Sequence, residues 1–488
     1  MRRTLSANQL RDDMPSSNVP ARKFSSLMLV ACLVFMASLV FAVFTARSLY
    51  DDGSYYFMRV LQAGGFTEMI FTRGHAAFLF QLPVVMALKL GVTDLSKLQI
   101  AFGIGCFMSW PLAMALCRWL VPKHFWLVAL ACGAGYLNAA FVAVGEHAVA
   151  HAFFWPVGFV LLFVRPLTPA AAAVLLGSAA ILFRSYESMF FLGPALAWLA
   201  FRRATAGGEK SWQRVVLLLT TILLIGSAFI ALDGILHPAT RSNVASFNTG
   251  MLRELIAPGW TVTWSIFWML LLMACWLPKV RRYIAHPAGV AVLAGIILVW
   301  GAWPLLAPAQ LNPYKQYDAR FLDLLVPMAL LGVAFILAHR PEWFESQRQY
   351  LVNLSAGLLL AQSLWHIGAT EQWRGYLQVW RDMLASHTGI IQLMDSPYGP
   401  NPAVGRQATR FVWEMDARNL EIEIGPRHVK SLILPDTRIT GHIVDRELIN
   451  QYKPDELPNL ERYGVDYREY IQALTQNPNI DNQPPKLK

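Results

Sequence analysis

The fold class is indicated first by residues 25–48, SSLMLVACLVFMASLVFAVFTARS, an apolar run long enough to cross a bilayer as a helix. The apolar region of a cleaved signal peptide would be shorter, so we expect an uncleaved first membrane helix. The preceding residues 1–24 are basic and are predicted to form a cytoplasmic tail. The basic residues of this tail are Arg2, Arg3, Arg11, Arg22 and Lys23.

Apolar runs of similar length recur through the first three quarters of the 488-residue chain, which is 55% hydrophobic and 15% charged. This composition excludes an ordinary soluble enzyme and predicts an α-helical polytopic membrane protein, with about 11 transmembrane helices within residues 25–368. The predicted spans are 25–48, 98–121, 125–144, 148–165, 169–184, 188–201, 213–236, 261–279, 288–308, 321–339 and 350–368. The formal net charge of +10 belongs to this membrane part, where basic loops set topology, and does not indicate nucleic-acid binding.

The segment 75–90 decides the topology of every later span. It is short and contains Pro83 and Lys89. If it crossed the membrane, Arg118 and Lys123 would lie outside, against the positive-inside tendency. We therefore predict a membrane-parallel helix at about 75–90 within a first outer loop at about 49–97. Basic residues then concentrate on the cytoplasmic side, near 118–124, 165, 202–214, 279–282 and 340–348.

With eleven spans, residues 369–476 are predicted to form a small α/β domain on the extracytoplasmic side. We expect an amphipathic helix at Gln372–Ala385, a helix or strand near Thr409–Ile424, and a strand at Val429–Leu434. Residues 477–488 are polar and proline-rich, which predicts a disordered tail. All five cysteines lie in apolar runs without Cys-x-x-Cys spacing, so neither a disulfide framework nor a zinc site is indicated.

Residues 49–61, LYDDGSYYFMRVL, follow the first helix directly and contain the adjacent carboxylates of Asp51 and Asp52. Considered alone, they could be a solvated helix end within an aromatic belt. The predicted topology, however, puts other ionisable groups on the same face, and such groups at a membrane boundary are costly unless paired or hydrated. These groups are Arg73, His75, Glu146, His147, His151, Arg184, Glu187, Lys315, Asp318 and Arg320.

Several of these residues also allow a purely structural interpretation. Glu146 could cap a helix, and Arg184 and Glu187, three residues apart, could pair with each other. Arg320 could be a snorkelling anchor at the start of a span. His147 and His151 share a helix face as metal ligands do, but the sequence offers no third ligand with suitable spacing, so no metal site is predicted.

This layout resembles the GT-C superfamily, integral-membrane glycosyltransferases that use polyprenyl-phosphate sugars, in particular the protein O-mannosyltransferases and the lipid A aminoarabinose transferases. Three features carry the resemblance: Asp51-Asp52 after the first helix, an outer-loop helix opening at His75, and Arg320-Phe321 followed by Pro327. The chain departs from the family pattern in two places. Gly74-His75-Ala76-Ala77-Phe78 stands where the family often has His-Pro-Pro-Leu, and Phe321 replaces the commoner tyrosine.

The resemblance implies transfer of a sugar from a polyprenyl-phosphate donor to a hydroxyl of a lipid, glycan or protein acceptor, with inversion. Such a reaction needs a base for the acceptor proton and cations for the leaving phosphate. We predict catalytic roles for Asp51 as the base, Asp52 as its partner and Glu146 as a second acidic group. Donor-phosphate binding is predicted for Arg320, Lys315 and Arg184, and acceptor or sugar binding for Tyr55, His75, His147 and Glu187.

No cofactor is required, although a carboxylate pair could hold Mg²⁺ or Mn²⁺. The predicted location is the bacterial inner membrane, with the active site and the C-terminus on the periplasmic side. The main alternative is a polytopic transporter or lipid flippase, which would show mid-span charges and related halves; here the ionisable groups gather at the outer ends. A lipid-linked polysaccharide polymerase or ligase shares the donor and stays open, whereas a non-enzymatic scaffold would not need charges clustered on one face.

Overall fold

The computed structural model describes residues 25–50, 53–68, 70–136, 145–237, 269–271, 273–274, 276–306, 316–387, 389–392, 431–434 and 461–464. Side chains at 281, 284, 285, 301, 303–306 and 316–324 and in the two strands are outside this description. Asp51, Asp52 and Lys315 therefore lie outside the described residues, as do Thr409–Ile424 and 477–488. Arg320 is described only as a backbone position.

Within these ranges the chain is almost entirely helical. The first six helices are α1 (Ser26–Phe44), α2 (Gly53–Ala63), α3 (Gly74–Lys89), α4 (Leu95–Phe107), α5 (Ser109–Leu120) and α6 (Phe125–Ala131). The next four are α7 (Glu146–Phe163), α8 (Pro169–Phe183), α9 (Met189–Thr205) and α10 (Ser211–Leu236). The remaining helices are α11 (Pro278–Ala285), α12 (Pro287–Leu306), α13 (Gln316–His339), α14 (Glu342–Glu345) and α15 (Arg348–Ser386).

Five helical segments of the described chain are long and apolar enough to cross a membrane: Ser26–Phe44, Phe71–Lys89, Glu146–Phe163, Ser211–Leu236 and Arg348–Ser386. Helices α4 and α5, bent by 43° at their junction, would together make a sixth. The chain is thus a helical protein of the membrane type. The predicted count of eleven is not confirmed, because other predicted spans form shorter apolar helices or lie partly outside the described residues.

Helices α3 and α4 approach each other so closely that glycine is needed between them. A Cβ at Gly105 would lie 1.8 Å from the carbonyl oxygen of Phe80, and one at Gly103 would lie 3.4 Å from Val43 and Ser48. The middle of α3 is therefore next to the part of α4 that meets the C-terminal end of α1. The membrane-parallel orientation of 75–90 stays a prediction, since Phe71–Lys89 also has the length and composition of a span.

The end of α1 is held by the long helix α15. Trp373 donates its indole N–H to the carbonyl oxygens of Thr45 and Ala46, the two residues that follow the last turn of α1, each at 3.2 Å. Arg47 follows, fully buried, with its guanidinium carbon 3.9 Å from the ring centroid of Tyr50. These contacts fix the path of the chain as it leaves α1 towards positions 51 and 52.

Helix α15 continues without a break from the predicted last span, 350–368, into the predicted amphipathic helix Gln372–Ala385. The predicted domain boundary between residues 368 and 369 therefore falls inside one helix, because no proline interrupts these 39 residues. Two short strands, β1 (Gly389–Gln392) and β2 (Ser431–Leu434), pair in parallel, and β2 lies within the strand predicted at Val429–Leu434. The predicted α/β domain as a whole is not confirmed, since most of 369–476 lies outside the described residues.

The short described segment 461–464 contacts helix α2. The buried side chain of Tyr463 donates its hydroxyl to the carbonyl oxygen of Leu61 on α2, at 3.2 Å. Residues 461–464 therefore pack on the helix that begins directly after Asp52.

We predict that Gly105→Ala destabilises the protein, because the added methyl group meets backbone rather than a flexible side chain. Overpacking of this kind costs about 1–3 kcal/mol, and more where backbone must move. Gly177→Ala on α8 is the matched control, since nothing lies within 4 Å of a Cβ there. Thermal unfolding of both variants in detergent should show a lowered midpoint for Gly105→Ala alone; equal midpoints would contradict the close approach of α3 and α4.

Candidate functional site

Three short connections bring charged side chains together around Arg73. Arg73 ends the 3₁₀ turn before α3, Glu146 opens α7, and Glu187 lies in the turn between α8 and α9. The Nε and Nη2 atoms of Arg73 donate to Oε1 of Glu187 at 2.8 and 2.7 Å. Its Nη1 atom lies 3.7 Å from Oε2 of Glu146. With Tyr56 and Tyr186, these residues form what we call the Arg73 network.

Glu146 is the most deeply placed carboxylate of the Arg73 network. It is buried at the N-terminus of α7, where the helix dipole favours negative charge. The hydroxyl of Tyr56, on α2, donates to its Oε1 atom at 3.0 Å. One carboxylate therefore joins the helix that follows Asp52 to the start of α3 and the start of α7.

Tyr186 provides the aromatic side of the Arg73 network. The guanidinium carbon of Arg73 lies 4.9 Å from its ring centroid, within the range of a cation–π contact. The rings of His147 and His151 lie 5.8 and 6.3 Å from the same ring. His151 Nε2 is 3.1 Å from the Ser188 hydroxyl, so this ring is engaged by protein. Among the described residues, no group of three His, Cys, Asp or Glu side chains could hold a metal ion.

The Arg73 network is rich in acid. The side chains of Arg73, Glu146 and Glu187 are 13%, 4% and 19% exposed, and one guanidinium serves two carboxylates. A buried charge is tolerated when it is paired and hydrogen-bonded, which Arg73 achieves through Glu187. The Arg73 network therefore presents two oriented carboxylates, those of Glu146 and Glu187. Its one guanidinium, that of Arg73, is already paired with them.

Arg184, predicted to bind donor phosphate, has a different place in the structure. Its Nε atom donates to the carbonyl oxygen of Phe71 at 2.8 Å, its Nη2 atom contacts Glu68, and its guanidinium carbon lies 3.8 Å above the Phe71 ring. Its own carbonyl accepts the backbone N–H of His75 at 2.9 Å. Arg184 thus fastens the loop before α3 to the end of α8. The local Arg184–Glu187 pair considered from the sequence is replaced by two longer-range pairs, because each side chain turns to a different partner.

The other predicted site residues are distributed around the Arg73 network. The imidazole Nδ1 of His75 lies 2.7 Å from the carbonyl oxygen of Ala180, which ties α3 to α8. Tyr55 is half-buried, with its ring 6.1 Å from that of Tyr56. Of the three predicted catalytic residues, Glu146 alone lies among the described residues.

Sequence reasoning gave no role to two residues that the structure makes central. The sequence places Arg73 among the charged outer-face residues without indicating that it pairs with Glu146 and Glu187, and it gives Tyr56 no individual role. The Arg73–Glu187 contact joins residues 114 positions apart, so no local spacing could have revealed it. The available signal was a charged residue at the edge of an apolar segment, which must be paired or hydrated.

No family model, curated protein or solved structure matches the chain. A functional proposal therefore rests on the chemistry of the Arg73 network and on the resemblance of the chain's sequence motifs to those of the GT-C superfamily.

We predict that Arg73 and Glu187 are energetically coupled. Glu187→Gln removes the closer of the two carboxylates of Arg73, and Arg73→Gln leaves Glu187 and Glu146 without their cation. Because these side chains are only partly exposed, each change should cost about 1–3 kcal/mol, and the double variant should cost less than the sum of the two. The measurement is the free energy of unfolding in detergent micelles for the four proteins of the cycle. The control cycle uses Glu371 and Arg374, which pair at 2.6 Å but are 41% and 58% exposed, and it should show almost no coupling. Additive losses for Arg73 and Glu187 would show that the ion pair does not stabilise the fold.

Proposed function

We propose that this protein is a membrane glycosyltransferase that moves a sugar from a polyprenyl-phosphate donor to a hydroxyl of a lipid, glycan or protein acceptor. The observation that carries the proposal is the buried Glu146 carboxylate, held by Tyr56 and Arg73 beside the helix that begins directly after Asp51-Asp52. We infer a location in the bacterial inner membrane, with the site on the periplasmic side.

The acidic character of the Arg73 network supports its use on the acceptor side of the reaction. An acceptor hydroxyl must lose its proton as its oxygen attacks the anomeric carbon, and a carboxylate is a suitable base. We assign the proton to Asp51, with Asp52 as its partner and Glu146 as a second acidic group that orients the acceptor. Glu187 then acts as a positioning residue, because it holds Arg73 through two hydrogen bonds.

The cations for the donor are assigned to the segment before and at the start of α13. Arg184 is bound to the loop at Phe71, and Arg73 is bound to Glu187, so neither guanidinium offers a free bidentate face. We therefore assign the donor phosphate to Lys315 and Arg320. A guanidinium binds phosphate oxygens in pairs and stabilises the charge that grows as the anomeric carbon–oxygen bond breaks.

The bond changes balance in a single displacement. The acceptor oxygen forms a bond to the anomeric carbon from the face opposite the phosphate, the acceptor proton moves to Asp51, and the polyprenyl phosphate leaves with the bonding electron pair. One displacement inverts the configuration at that carbon. Tyr55 and His147 are near the Arg73 network through Tyr56 and Tyr186 and are assigned to sugar or acceptor contacts.

A transporter or lipid flippase is the main rival. The residues of the Arg73 network occupy helix ends and connections: Arg73 precedes α3, Glu146 opens α7 and Glu187 precedes α9. A transport path would instead use ionisable groups near the middle of spans. A polysaccharide polymerase or ligase would use the same donor chemistry and differ only in its acceptor.

We expect purified protein to consume one member of a panel of polyprenyl-phosphate sugars, with loss of donor followed by chromatography. Asp51→Asn should slow this by about 100- to 10,000-fold, the usual contribution of a general base, and Glu146→Gln should slow it to a smaller degree. Glu371→Gln, an exposed carboxylate of α15, is the matched control and should keep the wild-type rate.

Two outcomes of this assay would refute the proposal in different ways. Undiminished turnover in both Asp51→Asn and Asp52→Asn would remove the base assignment. Transbilayer movement of a labelled lipid by wild-type protein in vesicles, without donor cleavage, would favour a flippase.

The predicted orientation is tested with single cysteines in a background lacking the five native cysteines. His387→Cys, at the exposed C-terminal end of α15, should react with an impermeant maleimide in intact cells. Lys210→Cys, exposed beside the start of α10, should react only after lysis. The reverse pattern would place the Arg73 network on the cytoplasmic side and exclude a periplasmic active site.

A further inference from the structure

A second polar region lies at the far ends of the helices that carry the Arg73 network. Helix α7 runs from Glu146 in the network to Phe163, and α9 runs from beside Glu187 to Thr205. Between these far ends and the end of α13 lies a cavity of about 460 Å³. Its lining includes the three arginines Arg165, Arg202 and Arg203 and the apolar side chains of Leu161, Leu199 and Phe335.

Arg203 is the buried cation of this cavity. Its side chain is 3% exposed; Nε donates to Glu209 at 2.6 Å and Nη1 donates to the carbonyl oxygen of Val160 at 2.8 Å. The third nitrogen, Nη2, is buried and has no hydrogen-bond partner among the described residues. An unpartnered guanidinium nitrogen in a buried position is costly, so a ligand that entered the cavity and reached Nη2 would relieve that cost.

The positive charge of the cavity exceeds what Glu209 can neutralise, because Arg165 and Arg202 also line it. His124, at the same cavity, adds no charge near pH 7. Burial, together with the positive charges of Lys123 and Arg348, lowers the pKa of His124 to about 4. The cavity is thus suited to an anion that binds several guanidinium groups, as a phosphate does.

Arg202 lies beside aromatic and exposed apolar side chains. Its guanidinium carbon lies 5.3 Å from the ring centroid of Trp198 and 5.8 Å from that of Phe335. Trp198 and Phe201 on α9 are large apolar side chains that are 52% and 50% exposed, as expected of residues that face lipid. The cavity therefore combines cations with apolar walls at the edge of an apolar helix surface.

We propose that this cavity binds the phosphate headgroup of one anionic phospholipid, with Arg203 at its base and Arg165 and Arg202 at its mouth. Leu161, Leu199 and Phe335 then contact the glycerol and the first carbons of the acyl chains. Basic pockets between helices on the cytoplasmic side are suited to such headgroups, and the sequence predicts this end of the bundle to be cytoplasmic. Inorganic phosphate would find the same cations but would leave the apolar walls unused.

The experiment uses native mass spectrometry of the full chain released from nanodiscs, made of phosphatidylcholine alone or of an equal mixture with phosphatidylglycerol. One phosphatidylglycerol per protein should survive delipidation, and inorganic phosphate should compete weakly. Arg165→Gln combined with Arg202→Gln should reduce phosphatidylglycerol affinity by about 30-fold, from the usual contribution of each arginine near a lipid surface. Arg203→Lys keeps the charge but not the fork, and should weaken retention while the protein stays folded.

Arg214→Gln is the matched control, because Arg214 is exposed near the start of α10 and does not line the cavity. Equal retention of phosphatidylcholine and phosphatidylglycerol would overturn the proposal. So would equal losses in Arg214→Gln and in the double variant, since these would indicate general surface charge. Tight binding of inorganic phosphate without lipid retention would assign the cavity to a soluble anion instead of a headgroup.

Discussion

The ion pair between Arg73 and Glu187, extended to Glu146, joins three separate parts of the described chain at the candidate site. A guanidinium placed among apolar helices requires a carboxylate, and the carboxylates available to it lie on distant parts of the chain. Satisfying Arg73 therefore brings the start of α3, the start of α7 and the turn before α9 together. Arg184 reinforces the arrangement by fastening the loop before α3 to the end of α8. The same electrostatic requirement thus organises both the packing and the acidic character of the site.

The positions of several helices along the chain could be predicted from local patterns, whereas the contacts of the candidate site could not. The apolar run 25–48 predicted a first membrane helix, and α1 occupies Ser26–Phe44. The apolar run 213–236 likewise corresponds to helix α10, Ser211–Leu236. Hydrophobicity identifies such helices because their length is set by the bilayer. The pairing of Arg73 with Glu187 depends on tertiary packing across 114 residues, which periodicity and spacing do not encode.

Two further details also depend on tertiary structure and not on local pattern. Arg184 and Glu187 have a spacing that permits a local helical pair, but the turn that contains them directs each side chain to a different element. The predicted boundary after residue 368 followed the change in composition, yet composition changes along α15 without interrupting its backbone hydrogen bonds. The hydrophobic pattern of a segment indicates whether it lies in an apolar environment or in water. The same pattern does not indicate which distant group pairs with a buried charge.

The continuity of α15 has a mechanical consequence. A helix of 39 residues is about 58 Å long, nearly twice the thickness of the hydrocarbon core. Such a helix is stiff along its length. Its Trp373 side chain is hydrogen-bonded to the end of α1, and β1 begins three residues beyond its last residue. A force applied to the C-terminal end of α15 would tilt this helix about its apolar part and shift the backbone that leads from α1 towards position 51. A displacement of residues 369–386 would in this way be transmitted to the backbone at the end of α1.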